Sequence, residues 1–183
     1  MSEAKASMLA VPVNEQDHVI GSMKPIVTVV TYGDYECPDC SRRHHTVEKA
    51  FDKLLNSVRF VYRHFPLMQV HPRALRAAEA AEAAAAQGKF WEMHRLLYSH
   101  SNRLSDTDLR WYARRIGLDH ERFDREMASG TYADQISESY YNSIINGITG
   151  TPTSFVNDVL CPKSDVELLA AVTAIIKDSN PDQ

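Results

Sequence analysis

Cys37-Pro38-Asp39-Cys40 is the segment of this sequence best equipped for chemistry. Two residues between two thiols let the sulfurs meet at disulfide distance within one helical turn. Three cysteines are too few for a disulfide scaffold, so a close pair reads as redox chemistry or metal binding. If the pair opens a helix, free backbone N–H groups and the helix dipole stabilise a thiolate on Cys37 and lower its pKa below the free value of about 8.5. Cys37 is then the attacking thiol. Cys40, one turn further in, is expected to be more buried and less ionised, and its part is to attack the mixed disulfide and release the substrate. Pro38 suits the first turn, where a helix makes no use of its missing N–H. The Asp39 carboxylate, between the two sulfurs, is expected to oppose the thiolate. The competing reading is a zinc cluster of Cys37, Cys40, His44 and His45. A closed zinc site needs four ligands, and adjacent helical side chains point about 100° apart, so at most one histidine could serve. The pair is therefore read as redox with no metal, and His44 and His45 as solvated helix residues.

The elements that must position the pair are visible in the pattern around it. Ile26 to Tyr32 is β-branched and aromatic throughout, as a strand buried on both faces would be, and Gly33-Asp34 ends it. Val47, Phe51, Leu54 and Leu55 recur at helical spacing, so a helix is expected from about 38 to 55. Val58 to Arg63 alternates like a second strand, and strand, helix, strand implies parallel pairing. From His71 to Gly147 the pattern is helical only, with four or five short helices. Ser105 with Asp108 and Thr131 with Asp134 have the spacing of capping boxes. Strand signals return at Ser154-Phe155-Val156, and a last helix opens with Ser164 and Glu167 and buries Leu168, Leu169, Val172, Ile175 and Ile176. The expected division is a loose arm over 1–17, an α/β domain made of 18–70 and 148–183, and an inserted helical domain over 71–147.

A chain of 183 residues with 44% hydrophobic content is long enough for one well-buried domain carrying an insertion. A net charge of -4 without a sustained basic stretch argues against nucleic acid as a partner. The longest apolar runs fall far short of the roughly 20 residues a membrane span requires. The first ten residues lack the basic and apolar regions of a secretory signal, which makes the cytoplasm the expected location.

Far down the chain, Gly150-Thr151-Pro152-Thr153 precedes the late strand. Together with Cys37-Pro38-Asp39-Cys40 it resembles the thioredoxin superfamily, and the helical insertion resembles the DsbA-like branch. Tyr32 to Pro38, Arg63-His64-Phe65-Pro66-Leu67 and Gln87 to His94 are similar to soluble bacterial members of that branch. Similar domains also occur fused to sodium/proton antiporters of the NhaA type. The resemblance implies an α/β thioredoxin fold with an inserted helical domain, and a protein-disulfide oxidoreductase with Cys37 and Cys40 as catalytic residues. Pro38 and Asp39 complete the motif, and Thr151 and Pro152 form a cis-proline loop that offers backbone groups to the substrate. It implies no cofactor. The implied partners are thiol- or disulfide-containing proteins, with glutathione or another member of the thioredoxin system as alternatives. A redox-sensing or partner-binding domain without turnover is the competing function. Two departures stand out. Thr31 occupies a position where many relatives carry a buried acid that takes up a proton, leaving water, Asp34, Glu36 or Asp39 for that task. Cys161 is an additional thiol, expected to be a small buried residue. The aromatic residues Phe90, Trp91, Trp111, Tyr112, Phe123, Tyr140 and Tyr141 are expected mainly in the core.

Overall fold

The computed structural model describes residues 8–51, 53–54, 56–145, 147–161 and 164–179. Leu55 and Pro162 lie outside the described residues. In chain order the elements are β1 (His18–Gly21), β2 (Val27–Gly33), α1 (Pro38–Phe51), β3 (Val58–His64), α2 (Ala74–Ala85), α3 (Phe90–Ser99), α4 (Asp106–Arg115), α5 (His120–Ser129), α6 (Ala133–Ile145), β4 (Thr153–Val156), β5 (Val159–Cys161) and α7 (Asp165–Ser179). The sheet order is β1-β3-β2-β4-β5. β2 and β3 are parallel, while β1 on β3, β4 on β2 and β5 on β4 are antiparallel. This is an α/β thioredoxin fold in which α2 to α6 are inserted between β3 and β4.

The period of two along β2 sorts its side chains to the two faces of the sheet. Val27 and Val29 pack with Val47 of α1 and with Leu168 and Val172 of α7. Val30 and Tyr32 face the other way, against Phe65, Tyr140, Ile148 and Phe155. A third cluster joins the inserted helices, through Met93, Leu97, Leu109, Tyr112 and Phe123, to Tyr35, Cys37, Cys40 and Tyr62. The core of the insertion is thus continuous with the floor of the cysteine turn. Phe90, Tyr112, Phe123 and Tyr140 are buried, while Trp111 and Tyr141 are exposed.

Several local expectations resolve differently. Residues 8–17 are not a loose arm. Met8 bridges to Val159, the Leu9 N–H donates to the Asp158 carbonyl at 2.8 Å, and Arg63 grips Asp17 with two bonds of 2.7 and 2.8 Å. Such anchoring is made by single long-range contacts, which leave no period in the sequence. Ser105 and Asp108 do form a capping box. Thr131 does not, because α6 begins at Ala133, one residue too late for Thr131 to be its cap, and its hydroxyl meets Ser129 Oγ at 2.7 Å. The strand expected at Ser154-Phe155-Val156 is β4, while β1 and β5, which forms a hairpin with β4, are additional strands. The hairpin turns on Asn157 and Asp158, both at positive φ (45° and 66°), residue types that tolerate that region.

Gly33 closes β2 under two tyrosines. A Cβ there would stand 2.6 Å from both Tyr62 Cε2 and the Tyr98 hydroxyl, whose own partner is the Tyr62 hydroxyl at 3.0 Å. Gly33→Ala is expected to force these rings apart and lower stability by about 1–3 kcal/mol in urea unfolding. Gly150→Ala, with nothing within 4 Å, is expected to stay within about 0.5 kcal/mol of the parent.

Candidate active site

Between β2 and α1 the chain turns through Asp34, Tyr35 and Glu36, which sets Cys37 immediately before the helix. The turn is held by Asp34, a carboxylate only 2% exposed. Its carbonyl accepts the Cys37 N–H at 3.3 Å and its Oδ1 accepts the Glu36 N–H at 2.7 Å. Its Oδ2 accepts the Leu67 N–H and the His71 Nδ1–H, each at 2.8 Å. Burial alone would lower the His71 pKa, and the hydrogen bond and charge of Asp34 overcome it and raise the pKa. Glu36 accepts the Arg73 N–H at 2.7 Å just before α2, where a helix N-terminus favours negative charge.

Cys37 and Cys40 are both free thiols, 6% and 3% exposed. The register of β4 on β2 pairs Tyr32 with Thr153, which delivers the preceding loop to the cysteine turn. Within that loop the Thr151–Pro152 bond is cis, and the Cys37 thiol points at the Thr151 carbonyl oxygen at 3.8 Å. The Cys37 pKa is lowered to about 6. The largest cause is the hydrogen bond from the Cys40 thiol. Burial opposes it, and the Cys40 N–H, the Thr151 side chain and the Asp39 N–H add to it. Thr151 Oγ1 is buried without a partner, which leaves its hydroxyl available to the sulfur on ionisation. Cys40 is pushed far above the ordinary thiol range, first by burial and then by Cys37 itself. Asp39 acts differently from the expectation. Its carboxylate is 61% exposed and pairs with Arg42 at 2.9 Å, so water and a cation screen it, and its backbone N–H is what supports the thiolate.

Behind Cys40 lies a cavity of about 70 Å³ lined in part by Thr31, Arg43, His44, Tyr62 and Tyr98. That volume exceeds the ~10–15 Å³ one water requires several-fold. Thr31 meets Ser154 Oγ at 2.9 Å; the same oxygen accepts from Arg43 at 3.2 Å, and Arg43 pairs with Asp165 at 2.8 Å. Tyr35 contacts His94 Nδ1 at 3.0 Å, and the Ser41 hydroxyl donates to the Tyr98 carbonyl at 3.0 Å, fastening α3 beneath the cysteines. His44 is not a solvated residue. Its side chain is 10% exposed and stacks on Tyr98, its Nε2 has no hydrogen bond, and burial lowers its pKa to about 4. His45 is exposed. The two rings do not diverge as adjacent helical residues were expected to, since their centroids are 5.5 Å apart and with Glu48 they bring ligand atoms within 4.8 Å. Among the described residues, neither this group nor the second one, His18, His64 and Glu82, includes a cysteine. Cys161 is buried among Val27, Val156 and Leu168, in a different cluster from Cys37 and Cys40, and burial raises its pKa. His71, Tyr62 and Tyr98 were not foreseen at the site. A Gly-Asp ending a buried strand was the only local signal for Asp34's place, and none marked its partners.

A family profile described as Thioredoxin matches residues 13–178, and the chain belongs to that family. Two curated relatives are Na(+)/H(+) antiporter NhaA 1 of Salinispora arenicola, 47% identical over 150 residues, and NhaA 3 of Salinispora tropica, 48% identical over 153 residues. Each match takes in 81% of this chain and 23% of the relative, so the chain spans about a quarter of those proteins' length. A thioredoxin-like oxidoreductase from Silicibacter pomeroyi DSS-3 is 32% identical, with 93% of this chain and 95% of that one aligned at a TM-score of 0.75. Oxidised BdbD from Bacillus subtilis shares the fold at 23% identity, a TM-score of 0.72, and coverage of 87% and 92%. MdbA from Corynebacterium matruchotii, a thiol–disulfide oxidoreductase, shares the fold at 20% identity, a TM-score of 0.71, and coverage of 87% and 88%. Among the described residues no helix is long and apolar enough to cross a membrane.

Alkylation of Cys37 is expected to follow a midpoint near pH 6. Cys40→Ala should move that midpoint up toward the free-thiol value of about 8.5, while Asp39→Asn should leave it nearly unchanged. Because the folded pKa lies below the free-thiol value of about 8.5, the reduced protein should gain stability as pH rises from about 6 to 8.5 and lose it as pH falls through 6. Asp34→Ala leaves the Glu36 and Leu67 N–H groups without their acceptor, and urea unfolding should show a loss of about 1–3 kcal/mol for each that stays dry.

Proposed function

We propose that this chain exchanges disulfides with protein or small-thiol substrates through a mixed disulfide on Cys37. In the reducing direction the Cys37 thiolate attacks one sulfur of a substrate disulfide. That S–S bond breaks, one substrate thiolate leaves and the mixed disulfide forms. Cys40 then gives its proton to water in the cavity behind it, and its sulfur attacks Cys37 Sγ. The mixed disulfide breaks, the second substrate thiolate departs, and two electrons have passed from the cysteine pair to the substrate. Oxidation of a substrate dithiol is the same path reversed. Thr151 and Pro152 hold the substrate segment beside Cys37, where the Thr151 backbone can pair with it as an added strand. Residues 18–70 and 148–183 form the exchange domain and 71–147 an inserted helical domain. Glutathione or another thioredoxin-system member recycles the pair.

The observation that carries this reading is the asymmetry of the two thiols. Cys37 is held near pH 6 beside the Thr151 carbonyl, while Cys40 is kept protonated by burial until attack. A second reading, a redox-sensing module that regulates a partner without turnover, is favoured by the antiporter names of the curated relatives.

Catalysed reduction of insulin separates the two. The exchange reading expects turnover with glutathione or a dithiol as reductant, complete loss with Cys37→Ser, and disulfide-linked adducts that accumulate with Cys40→Ser. A protein whose disulfide forms and breaks but which turns over no substrate is the sensor. Normal turnover without Cys40 would overturn the two-thiol path.

A further inference from the structure

Three metal-ligand side chains converge from three separate elements, and His64 among them borders Tyr35 and Tyr62 of the cluster under the cysteine turn. His18 of β1 and His64 of β3 both direct Nε2 at the same oxygen, Oε1 of Glu82 on α2, at 2.7 and 2.9 Å. The ligand atoms all lie within 4.8 Å of one another. We propose that His18, His64 and Glu82 form a zinc-binding site, with two imidazole nitrogens and one carboxylate oxygen as ligands and a fourth position open to water.

The donor set is the reason for naming zinc. Two histidines and a carboxylate with one open position are a recurrent zinc arrangement, and imidazole nitrogen selects against magnesium and calcium, which take oxygen ligands. Toward Glu82 the fit needs little movement, and the two imidazole nitrogens start within 4.8 Å of each other. Ligands about 2.0 Å from a tetrahedral zinc stand about 3.3 Å apart, so the two Nε2–Oε1 distances must open by roughly half an ångström. The His18 ring is held in place by stacking on Phe90, with centroids 3.5 Å apart and planes 8° from parallel. A cavity of about 570 Å³, lined by all three ligands and by Tyr32, Arg63 and Ser139 among others, gives the ion and its water a way in.

The hydrogen-bonded arrangement leaves the cluster incomplete. With Nε2–H donated to Glu82, the buried Nδ1 of His64 is an acceptor with no partner. On metal binding each ring carries its proton on Nδ1 and offers the Nε2 lone pair, and the Glu82 oxygen that accepted both protons becomes a ligand, so two hydrogen bonds are exchanged for three coordinate bonds and no net proton is lost. His64 then lacks a protein acceptor for Nδ1–H, which places the site among weaker zinc sites. Occupancy would tie the edge strand β1 and helix α2 to β3.

Free thiols can also bind zinc, so the test uses the full chain carrying Cys37→Ser and Cys40→Ser. Calorimetric titration with zinc chloride should give one ion per chain, and cobalt(II) in its place should show the visible bands of a tetrahedral nitrogen–oxygen site. His18→Gln and Glu82→Gln, each checked for native circular dichroism, should weaken binding at least ~10-fold, the loss that even a disturbed outer partner brings. His45→Ala, which disables the His44, His45 and Glu48 group, should leave binding unchanged. Zinc should also raise the thermal midpoint of the parent and not that of Glu82→Gln. No binding by the serine double variant, binding that survives both ligand substitutions, or binding lost with His45→Ala would each overturn the proposal and leave the three residues as a hydrogen-bonded clamp.

Discussion

The Asp34 carboxylate accepts hydrogen bonds from the Glu36 backbone, the Leu67 backbone and the His71 ring, so three segments of the chain end on one buried charge. A carboxylate out of water is tolerated only when its lone pairs are satisfied by well-aligned donors. That requirement works in both directions. The charge holds the turn that presents Cys37, and the loop running from β3 to α2 must stay folded over it for the charge to remain stable. Glu36 adds a second tie by accepting the Arg73 N–H ahead of α2. The cysteine turn and the start of the inserted helices therefore behave as one mechanical piece.

On that frame the difference between the two cysteines follows from a few ångströms of depth. Cys37 sits before the first turn of α1, where backbone N–H groups of Asp39 and Cys40 face its sulfur, and the Cys40 thiol points at it. Cys40 is inside the same turn, over the cavity and against the tyrosine cluster, where the Asp34 N–H and the Thr151 side chain offset only a small part of the loss of water. Side-chain charges nearby matter less. Asp39 and Arg42 lie at the surface, paired with each other, and their fields are screened.

A network of polar side chains crosses the ground beneath the cysteines. Thr31, Ser154, Arg43 and Asp165 form one chain of contacts linking β2, β4, α1 and α7, so the buried guanidinium is matched by a carboxylate. Tyr35, Tyr62, His94 and Tyr98 form the other wall, and burial holds all three tyrosines in their protonated form. Thr31 faces the cavity beside Cys40, and Glu48 of α1 is the carboxylate residue among those that line it.

Features that depend on local pattern and on backbone chemistry were legible from the residues alone. A β-branched run is β2, the helical spacing after Cys40 is α1, the Ser105 and Asp108 pair caps α4, and the Leu168 and Val172 spacing is the buried face of α7. The spacing of Cys37 and Cys40 and the resemblance at Thr151-Pro152 were enough to mark the candidate site. Which side chains lose water, and whom they meet when they do, was set by packing between distant elements. Asp34 was readable as the end of a strand but not as the acceptor for Leu67 and His71, and His44 is dry only because α3 lies across it. The anchoring of residues 8–17 rests on Arg63, and His18 and Glu82 meet across 64 positions of chain. Local pattern carries information over a few residues, whereas burial and ion pairing are fixed by packing between elements whose separation in sequence has no period to read.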